Sequence, residues 1–170
     1  MHVLLVVPRY GSRPKDFYQV PLGLGYIASA MKQAGHQVTG LNLNHHEGSV
    51  EDLVRAKVLE VDPDACASGT LAPYLSALKE IFSAARKAKP EIVNLAGGGF
   101  VSGEPEMSLA VLDIDIGVIS EGEQTIVELL DCLERAEDLH AVNGIVFRDQ
   151  NGNTFETKSR EQIRDLGQLP

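Results

Sequence analysis

Apolar and polar positions along this chain follow two rhythms in turn. Residues 3–7 form an unbroken apolar run rich in β-branched side chains and stopped by Pro8, the mark of a strand buried on both faces. After a polar loop over 9–19, residues 21–34 place Leu22, Ile27, Ala30, Met31 and Ala34 at helical spacing, with Pro21 in the first turn and Gly35 as a left-handed stop. The alternation then repeats. A strand is predicted over 37–43, and a helix capped by Ser49 and buried through Leu53, Val54, Val58 and Leu59 ends near Asp62-Pro63. A third strand over 64–68 leads into Gly69-Thr70. Pro73 then opens a helix with Leu75, Leu78, Ile81, Phe82 and Ala85 on one face, ended by Pro90. Strand four, over 92–96, is cut off by Gly97-Gly98-Gly99, a run no strand interior favours. A short helix over 104–112, a fifth strand over 116–120 and a helix over 124–135 complete the series.

Strands separated by helices of this length pair in parallel, because each helix is the crossover that returns the chain to the same end of the sheet. The predicted fold class is therefore α/β, a doubly wound parallel five-stranded sheet of the flavodoxin-like or Rossmann-like kind. Residues 143–147 and 154–157 flank Asp149-Gln150-Asn151-Gly152-Asn153 and predict a C-terminal β-hairpin. The expected organisation is an α/β domain over 1–142, an appended hairpin of the same domain over 143–158, and a linker over 159–170. A chain of 170 residues supports one such core and not two.

Composition narrows the partners. The formal charge of −9, from 24 acidic against 15 basic residues, sets up a field that repels polyanions, so no nucleic acid is expected. No apolar run reaches the roughly 18 residues needed to cross a bilayer, and the N-terminus lacks a secretory pattern, so a cytoplasmic location without membrane association is expected. Cys66 and Cys132 stand far apart in no metal or disulfide spacing and read as small buried apolar residues.

In an open parallel sheet the βα loops emerge at one end, where ligands bind near the reversal of strand order. Gly97, Gly98 and Gly99 remove three β-carbons there, so that main chain can approach a large flat or anionic guest. A bulky substitution at Gly98 is accordingly expected to block the rim with little effect on folding. Ser68 and Thr70 offer hydroxyls suited to amides, phosphate or a nucleotide tail, or to helix capping. Glu121-Gly122-Glu123 places two carboxylates at a helix start, where capping and a ribose or amide hydrogen bond are both open. Gly23-Leu24-Gly25 is separated from strand one by a long loop, which disfavours a dinucleotide fingerprint, and no Walker sequence exists. Adjacent His45 and His46 suit a solvated loop better than one metal. No catalytic constellation and no metal ligand set is assigned, so the ligand itself is expected to bring the reactivity. A free-standing flavodoxin-like module that binds flavin mononucleotide, a small anion or a protein is the alternative.

Read in order, Val3-Leu4-Leu5-Val6-Val7-Pro8, Pro21-Leu22-Gly23-Leu24-Gly25-Tyr26-Ile27-Ala28, Gly35-His36-Gln37-Val38, Gly97-Gly98-Gly99 and Glu121-Gly122-Glu123-Gln124-Thr125 resemble the N-terminal cobalamin-binding domain of cobalamin-dependent radical SAM proteins. Leu166 to Pro170 resembles the Leu-x-x-Leu-Pro junction that precedes their radical SAM barrel. The resemblance implies a corrinoid partner with Tyr10, Gly11, Leu22 and Gly23 facing the corrin. It implies a nucleotide tail lined by Ser68, Gly69 and Thr70, passed by the backbone of Gly97, Gly98, Gly99, Phe100 and Val101, and closed by Glu121, Gly122 and Glu123. The Asp-x-His-x-x-Gly sequence whose histidine ligates cobalt in the mutases is missing after strand one, which leaves the lower axial position unassigned. The cysteine trio of a 4Fe-4S cluster is also missing. In a longer parent protein the resemblance implies a downstream radical SAM domain with that cluster and S-adenosylmethionine, acting in methyl transfer or a related radical reaction.

Overall fold

The computed structural model describes residues 1–11, 17–19, 21–163, 165 and 167. Seven strands form one sheet in the order β2-β1-β3-β4-β5-β6-β7, namely His2–Val7 (β1), Gln37–Asn42 (β2), Ala65–Gly69 (β3), Val93–Gly97 (β4), Ile116–Val118 (β5), Ile145–Arg148 (β6) and Thr154–Glu156 (β7). The first five run parallel, β6 pairs antiparallel with β5, and β7 pairs antiparallel with β6. The predicted parallel sheet is thus present, and the hairpin extends it.

Among the described residues six α-helices connect the strands: Leu22–Gln33 (α1), Val50–Val61 (α2), Leu75–Ala88 (α3), Gly99–Gly103 (α4), Pro105–Val111 (α5) and Glu123–Glu134 (α6). In α2 the Ser49 hydroxyl accepts from the Asp52 amide at 3.0 Å, and Asp62 stops the helix at φ +44°. Leu59, expected on its buried face, is instead exposed, and Val54 and Val58 carry the packing. Residues 72–74 form a 3-10 turn, so α3 begins two residues after Pro73.

Successive strand residues point to opposite faces, and two cores follow. Val3, Leu5, Ala65, Ala67 and Leu95 lie under α1 and α6. Leu4, Val6, Cys66 and Ala96 lie under α2, α3 and α5 on the other face. Ile145 and Phe147 join the first core and Val146 the second, so β6 is an interior strand. It covers an edge that the three-residue β5 would otherwise leave open.

From β1 the chain crosses to β2 on one side and returns to β3 on the other, so strand order reverses at β1. The loops after β1 and β3 therefore part there and open a crevice above the strand ends. Beyond β7 the chain turns back along α6. Arg160 donates to Thr125 Oγ1 at 3.0 Å and to Glu128, and the Ile163 amide donates to Glu121 Oε2 at 2.6 Å. The predicted Leu166 to Pro170 junction lies outside the described residues except for Gly167.

Candidate functional site

Above the C-terminal ends of the parallel strands lies a largely apolar cavity of about 800 Å³. That is within the roughly 300–1,000 Å³ typical of small-molecule and cofactor sites. Its floor stays low because β3 and β4 end on small residues, Ser68-Gly69 beside Ala96-Gly97 in parallel register. A β-carbon on Gly69 would stand 2.9 Å from the Gly97 carbonyl oxygen. The two strand ends thus lie closer than side chains permit.

Gly98 is the most constrained of the triplet. Its φ is +94° with ψ −175°, and a β-carbon would stand 2.7 Å from the Thr70 carbonyl oxygen. This corrects the expectation that a bulky Gly98 substitution spares folding: the glycine is needed by the turn and by the neighbouring loop, with or without a guest. Gly97 has ordinary clearance, with Val118 O at 3.8 Å. The predicted loop after Gly98 is in fact the short helix α4, whose Phe100 and Val101 side chains turn into the core.

The near wall is built by a polar lattice that no sequence motif announced. Asn44, 3% exposed, donates to the Pro8 carbonyl at 2.7 Å, and its Oδ1 accepts from the Tyr10 amide at 2.8 Å. Arg9 donates to the carbonyls of Leu43, His46 and Gly48. These bonds bolt the loop after β1 to the loop after β2 and present Tyr10 to the cavity. The Tyr10 ring meets Tyr74 edge-on at 4.9 Å and stacks near Tyr18 at 6.2 Å. Burial pushes the Tyr10 phenol up, a hydrogen bond from Thr70 opposes that, and nearby Tyr74 adds to it. Tyr18 accepts from Asn42 at 2.7 Å, and its hydroxyl lies 2.9 Å from His45 Nε2; His45 and His46 are both exposed, as expected of a solvated segment.

Ser68 donates to the Val6 carbonyl at 2.8 Å, which commits its proton to joining β1 and β3 and leaves it only lone pairs to offer. On the far wall Glu121 is engaged by the Ile163 amide. Glu123 Oε2 is buried and has no hydrogen-bond partner. A carboxylate oxygen left so is costly unless something donates to it.

Of the residues singled out by sequence, Tyr10, Gly23, Ser68, Gly69, Thr70, Gly97, Gly98, Gly99, Glu121, Gly122 and Glu123 line the cavity. Gly11, Leu22, Phe100 and Val101 are not on its wall. Leu22 opens α1 facing solvent, 68% exposed. The wall also includes Phe17, Tyr18, Leu24, Ile27, Tyr74 and Ser120, none of them predicted. Leu24 and Ile27 share a helix face, a periodicity that reads as core, and the aromatic residues become neighbours only through loop packing.

Comparison with known proteins places this cavity in a family. A family profile described as the B12 binding domain matches residues 16–130, more than half of the chain. An uncharacterized methyltransferase, PH0819, from Pyrococcus horikoshii is 28% identical over 181 residues, spanning 100% of this chain and 37% of the relative. An anaerobic magnesium-protoporphyrin IX monomethyl ester cyclase from Rubrivivax gelatinosus is 26% identical over 178 residues, spanning 99% of this chain and 32% of the relative. The chain thus spans about a third of the length of these curated relatives. Among solved structures, the radical S-adenosylmethionine methyltransferase TsrM from Kitasatospora setae, with cobalamin and a 4Fe-4S cluster bound, superposes with a TM-score of 0.78 at 18% identity. That match covers 99% of this chain and 30% of that one and shows a shared fold. The doubly wound sheet, the glycine-floored cavity at its switch point and the match over residues 16–130 together establish that this chain belongs to the B12-binding domain family.

Proposed function

We infer that this chain binds cobalamin in the cavity above β1, β3 and β4, as one module of a longer cobalamin-dependent radical SAM enzyme. The observation that carries the reading is the cavity itself, whose glycine-lined floor and unpartnered Glu123 oxygen ask for a bulky guest that donates a hydrogen bond. The residues present fit such a group. Main chain at Gly69, Gly97 and Gly98 can lie flush against a tail, and Glu123 can accept from a hydroxyl or amide. Tyr10 and Gly23 line the cavity and would meet the larger, outward part of the guest, Gly11 and Leu22 lie off its wall and would meet the guest only at the rim, and the backbone of Phe100 and Val101 would stiffen the turn beside the tail. Tyr10 stays protonated at neutral pH and can donate or accept there, and the apolar walls exclude water. When bound, cobalamin supplies a cobalt centre for methyl transfer or a related radical step.

The family membership favours cobalamin over the flavin alternative. The parent enzyme's 4Fe-4S cluster, S-adenosylmethionine and methyltransferase or cyclase type of reaction are carried over from the relatives, and a cytoplasmic location is carried over from the sequence reading. In this reading residues 143–158 complete the module and 159–170 lead toward the downstream domain. The direct test incubates the protein with hydroxocobalamin and records the visible spectrum after gel filtration. Pigment should co-elute, and Glu123→Ala should weaken the complex at least about tenfold, the lower end of the value of one hydrogen bond to a charged acceptor. Retention of flavin mononucleotide with no retained corrinoid would overturn the reading.

A further inference from the structure

At the opposite end of the sheet from the cavity, a second group of side chains converges. His36 follows α1 and directly precedes β2, while Asp131 and Glu134 occupy the last turns of α6. One ligating atom from each lies within 4.8 Å of the other two. We propose that His36, Asp131 and Glu134 form a binding site for a divalent transition-metal cation of the zinc class. This inference does not depend on cobalamin binding.

The imidazole carries the argument. His36 is 6% exposed, and its Nε2 is fully buried without a hydrogen-bond partner. Asp131 Oδ1 stands 3.5 Å from it, too far for a good hydrogen bond. It is close, however, to the roughly 3.3–3.5 Å between neighbouring ligands of a tetrahedral zinc ion with bonds of about 2.0–2.2 Å. Glu134, whose side chain is 55% exposed, pairs through Oε1 with the Met1 ammonium, a contact that a bound metal ion would displace. Arg135 holds the outer oxygen of Asp131 at 3.7 Å, the kind of outer contact that orients a ligating carboxylate.

The surroundings favour a cation. The C-terminal ends of α1 and α6 meet here, and both present partial negative charge. The Met1 ammonium already sits 2.8 Å from Glu134 Oε1 and 3.3 Å from His36 Nδ1, on the other ring nitrogen. It marks the pocket as one that attracts positive charge while leaving Nε2 facing Asp131. One imidazole with two carboxylates is a nitrogen and oxygen set suited to zinc. A bound ion would clamp the far ends of the two helices whose first turns wall the cavity.

Cobalt(II) chloride, then zinc chloride, titrated into the metal-free, cobalamin-free protein tests this. The expected result is one saturable Co(II) per chain with visible ligand-field bands, displacement by Zn(II), and a raised Tm. Glu134→Gln alone, and Asp131→Asn with Glu134→Gln, should weaken binding at least about tenfold and about a hundredfold respectively. Far-UV circular dichroism checks that each variant remains folded. A Cys66→Ala, Cys132→Ala variant should bind as the wild type does. Absence of a saturable one-to-one complex, or wild-type affinity in the folded double variant, would overturn the proposal.

Discussion

At the scale of single residues, the two neighbours Gly97 and Gly98 separate binding from folding. Gly98 has a backbone conformation that is essentially glycine-only, so Gly98→Ala should cost at least about 2 kcal/mol in urea unfolding. Gly97 has an ordinary φ, and a β-carbon there would meet Val118 at ordinary contact distance, 3.8 Å. Gly97→Leu should therefore shift Tm by a few degrees only while weakening hydroxocobalamin binding at least tenfold, read by absorbance titration. Equal affinity would remove Gly97 from the contact surface. Cys66 gives a second test, because full burial pushes its thiol up from 9.0 to about 12. Between those values the unfolded chain releases a proton that the folded chain keeps, so stability is complete below pH 9 and falls as pH rises toward 12. The wild-type slope should exceed that of Cys66→Ala by up to about 1.4 kcal/mol per pH unit, measured by denaturant unfolding across that window.

At the scale of elements, the period of the apolar residues was enough to place most strands and helices, because each is buried along a face that the period itself encodes. The hairpin shows where that logic stops. Ile145, Val146 and Phe147 form a three-residue apolar run that suits an edge strand and an interior strand equally well. Only the shortness of β5 and the two helix layers around it determine that β6 is interior. The segment after β7 is similar. Its composition reads as a linker, yet Arg160 and Ile163 hold it to Thr125, Glu128 and Glu121 along one face of α6 and the turn before it. Arg160→Ala should release this strap. Hydrogen exchange at the Ile163 amide should then rise at least tenfold with exchange in β1 and β3 unchanged, whereas equal protection would show that the strap is held by other contacts.

At the scale of the whole molecule, a guest that binds only the folded chain stabilises it by mass action. Hydroxocobalamin at about 100 times its Kd should add roughly 2.7 kcal/mol, visible as a raised Tm, and flavin mononucleotide at equal concentration should add nothing. No helix among the described residues is long and apolar enough to cross a membrane. What the sequence determined by itself is the order and type of the elements, the parallel winding and the end of the sheet where the cavity opens. Those follow from short-range periodicity and from the chirality of crossovers, which any segment carries locally. What only the tertiary structure decided is which side chains meet in the cavity. Asn44 bracing Tyr10, Ser68 spending its proton on Val6 and Tyr74 against Tyr10 join segments distant in sequence, and the Glu123 oxygen is buried among such segments without a partner. Such meetings depend on how far each loop reaches once the sheet has brought its ends together, and no local pattern records that distance.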